Sequence, residues 1–208
     1  MLRAVEKVWK LRVLDFDSEC RPLAWYGGDF VTKQPTAVAW RFVGEKGKTK
    51  VRAIGESYNT RNVLKEERDM LEEFRKAYDA ADMVTGHFIR GFDLPLLTGA
   101  LVRLGLPPLG KKLSQDTKLD AFKRTGISMS QENLGAMFEL EHPKYPMNTA
   151  KWAEANMLLP AGIKLTKIRA VSDVEQHEEL RAKMLELGVL SAPRLWSPEG
   201  AHVGGYHA

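Results

Sequence analysis

The sequence predicts an α/β fold with a mixed sheet, and the order of its apolar patterns supports this. Apolar runs in the first quarter of the chain are separated by short, glycine-containing turns, which predicts successive strands joined as an antiparallel meander. From Asn62 onward, apolar side chains recur every three or four residues, which indicates helices, and short apolar runs lie between them. Strands first, and strands mixed with helices afterwards, are typical of an α/β domain.

The individual elements follow from these patterns and from the glycines and prolines between them. Strands are expected at residues 8–17, 22–30, 37–43, 50–54, 81–85 and 113–116. A first helix is expected from 62 to about 78, and a second one leads from the loop within 85–97 to about 104. Further helices are expected over 117–124, 130–139 and 148–157, and within 164–187. We expect one domain, residues 1–187, and a loosely ordered tail, residues 188–208, in which Leu195 and Trp196 could dock.

Composition narrows the class of protein. The net charge of +4 and the pI of about 9.1 favour an anionic partner such as nucleic acid, although acidic residues are also abundant. Cys20 is the single cysteine, which excludes an internal disulfide and favours a reducing compartment, so we expect a cytoplasmic protein. No secretory signal is visible. The sequence also contains no apolar run of about 18 residues, which is the length that a membrane-spanning helix requires.

The first strand ends in carboxylates. Because strand side chains alternate between faces, Asp15, Asp17 and Glu19 are expected on one side of the strand. Like charges on one face repel each other unless a cation lies between them, and a hard divalent metal with oxygen ligands would meet that need. The alternative is a strand that runs out into a solvated acidic turn.

Two more carboxylates are candidates for the same site, and each has a structural alternative. Asp93 lies two residues before Pro95, an arrangement that is common where a helix begins. Asp173 follows Ser172, which with Glu175 matches a capping box, so Asp173 could be an acid of a first helical turn.

Taken in order, three segments resemble the motifs of a known family. Phe-Asp-Ser-Glu at 16–19 resembles a Phe-Asp-x-Glu motif, and the segment 86–93 resembles Gly-His-Asn-x-x-x-Phe-Asp, which is followed by Leu-Pro. Asp173–Val174 resembles the third, shorter motif, and Asp116–Thr117 resembles an Asp-Thr that often ends a later strand. Over residues 8–187 the chain thus resembles the DEDD superfamily of DnaQ-like 3′–5′ exonucleases, which includes the proofreading domains of DNA polymerases.

The resemblance implies an RNase H-like fold with a mixed sheet of five or six strands flanked by helices. It also implies a metal-dependent 3′–5′ exonuclease that hydrolyses phosphodiester bonds at single-stranded DNA 3′ ends with two divalent ions, Mg²⁺ or Mn²⁺. One ion would be held by Asp17, Glu19 and Asp173. The second would be shared by Asp17 and the substrate phosphate, with Asp93 helping through water.

Two positions depart from the family pattern. Phe88 stands where the second motif usually has Asn. The family also has a Tyr four residues, or a His five residues, before its last Asp, and here those positions are Arg169 and Ile168. Arginine stays protonated and cannot act as the base, but Arg169 could donate hydrogen bonds to the scissile phosphate. The expected substrate contacts come from the second motif and from one later lysine, that is from His87, Phe88, Arg90, Phe92 and Lys167.

The sequence leaves the exact role open. The chain has no room for a polymerase domain, so we expect a free-standing nuclease or a separate proofreading subunit that works with a DNA polymerase in DNA replication or repair. The departures at Phe88 and Arg169 suggest an alternative, a catalytically weak module that binds nucleic acid or a polymerase. An RNA exonuclease is a third possibility, because discrimination between sugars depends on a few contacts to the 2′-hydroxyl.

Overall fold

In the computed structural model, which describes residues 11–23, 32–121 and 126–200, a six-stranded mixed sheet is flanked by five helices. This confirms the α/β class and agrees with the RNase H-like fold that the resemblance implied. The strands are β1 Val13–Leu23, β2 Thr32–Phe42, β3 Lys50–Ala53, β4 Met83–Gly86, β5 Lys112–Asp116 and β6 Arg194–Trp196. The helices are α1 Val63–Asp79, α2 Asp93–Arg103, α3 Gln131–Met137, α4 Thr149–Asn156 and α5 Pro160–Glu186, and a 3-10 turn, Thr60–Asn62, precedes α1.

The sheet has the strand order β3-β2-β1-β4-β5-β6. The first three strands form the predicted antiparallel meander, whereas β1, β4 and β5 run parallel to one another and β6 is antiparallel to β5. The register between β1 and β2 shifts between Glu19 and Cys20. Such an irregularity re-aims the side chains around it, and here it falls at a candidate metal ligand.

The two faces of the sheet pack against different helices. Leu14 and Phe16 of β1 lie in the larger core cluster with α1 and α2, which includes Phe74. On the other face, β2 presents alanines to α5, and Ala39 lies in one cluster with Ala170. Because alanine side chains are small, α5 packs close to the sheet. The odd-numbered residues of β1, among them Asp17 and Glu19, therefore face this helix.

The main differences between the predicted elements and the structure lie in β1 and in the segment after β5. The strand predicted to end at residue 17 continues to Leu23, and residues 24–30 of the next predicted strand lie outside the described residues. The helix predicted over 117–124 is wrong for its described part, because residues 117–119 form a turn and Ala121 pairs with Leu190. Asp116 caps a single turn by accepting the backbone N–H groups of Lys118 and Leu119. The chain then leaves the helical path, because the Asp120 carbonyl accepts the backbone N–H of Ser191.

Part of the predicted tail is a strand. Residues 194–196 pair with 112–114, and Trp196 is buried in the core cluster of α1 and α2, whereas the Leu195 side chain is 57% exposed. Residues 201–208 lie outside the described part of the chain, and the division into a domain 1–187 and a loosely ordered tail 188–208 stays a prediction. Among the described residues, no helix has both the length and the apolar character that a membrane crossing requires.

Candidate metal centre

Three carboxylates from β1 and α5 meet between the sheet and the helix. Asp17, Glu19 and Asp173 each offer an oxygen, and these oxygens all lie within 4.8 Å of one another. The side chains of Glu19 and Asp173 are only 13% and 5% exposed. Strand alternation places the first two on the face toward α5, and α5 supplies the third. Three of the four predicted metal ligands are thus brought together.

The fourth predicted ligand, Asp93, lies beside this triad. It is the first residue of α2 and is buried, and its Oδ1 accepts a hydrogen bond from the backbone N–H of Ser18 at 3.0 Å and a second one from the Ser18 hydroxyl. Asp93 is close enough that its charge contributes to raising the pKa of Asp17. Its role as a ligand stays a prediction.

The carboxyl groups of Asp17, Glu19 and Asp93 have raised pKa values, so they stay protonated to a higher pH than usual. Burial, followed by the charges of Asp173 and Asp93, raises the pKa of Asp17 well above its usual range. Burial and the charge of Asp173 raise the pKa of Glu19 to about 8, although Arg169 opposes this shift. Burial likewise raises the pKa of Asp93 to about 7. A charge cluster of this kind needs a cation to be stable in its ionised form.

These shifts predict that the metal-free fold loses stability as the pH rises. The pKa values of these carboxyls are higher in the folded protein than in the unfolded chain. Their contribution to the free energy of unfolding is therefore fully present in acid, and it is lost as the pH rises through about 7 for Asp93 and about 8 for Glu19. A divalent ion competes with the same protons, so its binding should strengthen over that interval. Urea unfolding without metal at a series of pH values measures the first effect, and calorimetry in buffers of different ionisation enthalpy measures the released protons.

The matched control for this pH dependence is Glu19→Gln, which should flatten the profile near pH 8, the pKa region of the residue that it replaces. A metal-free stability that increases steadily from about pH 5 to about pH 8 would contradict the assignment, because it is the behaviour of carboxyls with depressed pKa values.

The donor set fits a hard divalent ion. All the ligand atoms are carboxylate oxygens, which suit Mg²⁺ and Mn²⁺. In addition, Asp173 Oδ1 is buried and accepts no hydrogen bond from the described residues. A buried carboxylate oxygen without a donor is costly unless another group fills its place. This oxygen is therefore available for a metal ion.

Two cations of the chain itself contact the triad. Arg169, one helical turn before Asp173, brings its Nε within 3.0 Å of Asp173 Oδ2 and 3.8 Å of Glu19 Oε1. Lys144 brings its Nζ within 3.0 Å of the same Asp173 oxygen, and both cations also contact Glu132. Sequence reasoning missed Lys144 and Glu132. Neither belongs to a motif, and their contact with Asp173 is made by tertiary packing.

The loop of the second motif is held by a buried acid. Asp116 is fully buried, and its carboxylate accepts the backbone N–H groups of Phe88, Arg90, Lys118 and Leu119. This loop includes Phe88 with a φ of +68°, a conformation that L side chains seldom adopt. Asp116 therefore has a structural role, since it fixes the loop that leads to Asp93.

The predicted substrate-binding residues have protein partners. Within the second motif, Arg90 forms a nearly buried ion pair with Asp120, in which its Nη1 lies 2.9 Å from Oδ2. His87 Nε2 contacts the Met129 carbonyl and its Nδ1 contacts Thr117. Burial, then the charge of His177, lowers the pKa of His87 to about 3. His87 is therefore neutral and held in place.

The other three predicted substrate-binding residues, which are partly exposed, also contact charged side chains. The ring of Phe88 lies under the Lys118 ammonium, and the ring of Phe92 lies under that of Lys33, at 4.2 Å and 4.5 Å from the ring centres. Lys167 forms a partly exposed ion pair with Glu56. Substrate contacts by all five residues stay a prediction.

Asp15 shares its face of β1 with the triad but has a different partner. It is fully buried, and both of its carboxylate oxygens lie 2.8 Å from His177 Nδ1, while His177 Nε2 lies 3.1 Å from Thr117 Oγ1. His177 is one turn beyond Asp173 on α5. The Asp15–His177 contact therefore fastens α5 to β1 beside the metal centre.

The comparisons with known proteins concern the fold. No protein-family model matches the chain, and no curated protein matches it. Its structure is similar to that of the family B DNA polymerase from the hyperthermophilic archaeon Pyrobaculum calidifontis, with a TM-score of 0.55 and 20% sequence identity. The match covers 84% of this chain but only 24% of the polymerase chain. At this identity the similarity shows a shared fold, and membership of the DEDD superfamily stays a prediction.

Proposed function

We propose that this chain is a metal-dependent 3′–5′ exonuclease that hydrolyses phosphodiester bonds at the 3′ ends of single-stranded DNA. The observation that carries the proposal is the meeting of Asp17, Glu19 and Asp173 within 4.8 Å, with Asp93 beside them. These acids come from three separate elements and stand in the motif order of the DnaQ-like exonucleases. The similarity to a DNA polymerase structure is compatible with a nucleic-acid substrate.

The proposed roles follow from the contacts. Asp17, Glu19 and Asp173 would hold one divalent ion and Asp17 would share a second, and these ions supply activation of water and stabilisation of charge on the leaving 3′-oxygen. Ser18 fixes the orientation of Asp93 through its N–H and its hydroxyl. The two Nη atoms of Arg169 donate to the Tyr145 carbonyl and to Glu132. We therefore assign Arg169 to positioning Asp173 rather than to binding the scissile phosphate.

The test is a cleavage assay on a single-stranded DNA oligonucleotide labelled at its 5′ end. Products that shorten one nucleotide at a time from the 3′ end with Mn²⁺ or Mg²⁺, and not with EDTA, are the expected result. The same strand with a blocked 3′ end should resist cleavage. An RNA strand of the same sequence tests which sugar the enzyme prefers. If RNA is cleaved faster than DNA, the substrate is RNA rather than DNA. Products that shorten from the 5′ end, or internal cuts, would overturn the proposal.

One observation favours a second candidate, a module that binds nucleic acid or a polymerase with little catalysis. Lys144 and Arg169 already contact the triad, so part of its charge is compensated without metal. Under this alternative the protein binds the oligonucleotide but leaves it intact at saturating Mn²⁺. Cleavage that depends on Asp173 in the same assay would exclude it.

A further inference from the structure

We propose that Lys144 is a built-in counterion of the metal centre, which a divalent ion must displace from Asp173 in order to bind. The inference rests on the metal site of the proposed function. It adds that the ion pair of Lys144 with Asp173 lowers the affinity of this site for a divalent ion. Lys144 Nζ lies 3.0 Å from Asp173 Oδ2, and its side chain is only 12% exposed. The ammonium is thus packed into the site rather than extended into solvent.

The two cations act on one oxygen. Arg169 Nε lies 3.0 Å from the same Oδ2 that Lys144 contacts, while Oδ1 is left for another ligand. A divalent ion held by Asp173 would therefore lie close to two positive groups. Like charges at such distances repel strongly where water is partly excluded. One of the two cations must withdraw.

Lys144 is the cation that can withdraw. Arg169 is held by two hydrogen bonds, from its Nη atoms to the Tyr145 carbonyl and to Glu132, and its Nε also forms the ion pair with Asp173. Lys144 has a compact ammonium on a flexible stem, and its second partner is Glu132 Oε1 at 3.2 Å. The Glu132 side chain is 57% exposed and stays ionised, because the hydrogen bond from Arg169 and the charge of Lys144 outweigh burial and lower its pKa to about 2. Glu132 can keep the ammonium after it leaves Asp173.

The backbone around Lys144 is fixed, so the displacement is a movement of its side chain. On one side, the backbone N–H of Glu141 donates to Glu179 of α5 at 2.8 Å. On the other, the backbone N–H of Tyr145 donates to the Ser172 hydroxyl at 2.8 Å. The segment 141–145 is therefore fastened along the helix that carries Asp173, and it holds Lys144 over this carboxylate in the metal-free protein.

The test measures Mn²⁺ affinity directly, by isothermal titration calorimetry of the full chain without nucleic acid, near pH 8. Lys144→Met should tighten Mn²⁺ binding by about fivefold or more, since a partly buried competing ion pair is removed. Lys144→Arg keeps the charge and should bind like the wild type. Lys151→Met is the matched control, because the Lys151 ammonium contacts the Pro146 carbonyl in the same region, and it should leave the affinity unchanged.

Thermal unfolding gives a second readout. Without metal, Lys144→Met should melt below the wild type because the triad has lost a counterion, and saturating Mn²⁺ should raise its melting temperature by more than it raises that of the wild type. If Lys144→Met does not fold, the same two measurements are made on Lys144→Gln. Equal or weaker Mn²⁺ binding by these neutral variants would overturn the inference.

This outcome can be told apart from failure of the proposed function. Tighter Mn²⁺ binding by Lys144→Met in a protein that cleaves no oligonucleotide would support the counterion role while removing the exonuclease proposal. If the protein cleaves the oligonucleotide with metal but Lys144→Met leaves the Mn²⁺ affinity unchanged, the exonuclease proposal stands and the counterion role is overturned. A protein that binds no Mn²⁺ in any form would overturn both.

Discussion

Asp17→Asn should lower metal-dependent cleavage by at least about two orders of magnitude, the usual effect of losing a preorganised charged group at a reacting centre. Asp17 is the proposed ligand that would touch both ions, and asparagine keeps its size but loses its charge. Cleavage of a labelled single strand at saturating Mn²⁺, compared with the wild type at equal protein concentration, measures the loss.

The same substitution should leave the metal-free fold at least as stable as the wild type. The pKa of Asp17 is raised by burial and by neighbouring carboxylates, so its ionised form is disfavoured in the folded protein without metal. A neutral amide removes that repulsion. Loss of activity combined with an unchanged or higher melting temperature therefore distinguishes a ligand from a residue that merely holds the fold.

The control for Asp17→Asn is Asp69→Asn. Asp69 is an exposed carboxylate that pairs with Lys65 at 2.8 Å on the surface of α1, and such pairs contribute little to stability. This variant should cleave and melt like the wild type. If Asp17→Asn kept activity within tenfold of that control, the assignment of the first motif to β1 would have to be abandoned.

Local pattern was sufficient to predict one side of the site. The alternation along β1 places Asp17 and Glu19 toward one face, and the structure confirms that this face meets α5. The alternation also placed Asp15 there, but it could not reveal that His177 of α5 would contact Asp15. That contact depends on the depth and rotation with which α5 packs on the sheet, which the small alanines of β2 determine.

Features that depend on contacts between distant segments were not accessible to the sequence argument. Lys144 lies in a segment without regular structure, and nothing in its neighbourhood marks it as different from other lysines of a basic chain. Its role appears only when the backbone at Glu141 and Tyr145 is fastened along α5. The error at 117–124 has the same origin. Helical periodicity is a weak preference, and the pairing of residues 120–121 with the distant residues 190–191 overrides it after one turn.

Asp116→Ala should produce the largest loss of stability among the substitutions considered for this chain. The carboxylate accepts four backbone N–H groups, two from the loop that precedes Asp93 and two from the turn after β5. Alanine would leave these donors without their partner in a buried region. Hydrogen bonds to a charged group are stronger than average, so we expect a loss of at least about 3 kcal/mol in the free energy of unfolding. Urea unfolding of both proteins measures it.

The control for this effect is Asp82→Ala. Asp82 is exposed and, within the described part of the chain, accepts one backbone N–H, that of Arg12 at 2.8 Å, so its removal should cost about 1 kcal/mol or less. Cleavage by Asp116→Ala should fall with the folded fraction and recover as the temperature is lowered, because Asp116 holds the frame around Asp93 rather than the metal. If the variant stayed as stable as Asp82→Ala but lost all cleavage, Asp116 would belong to the reacting centre itself.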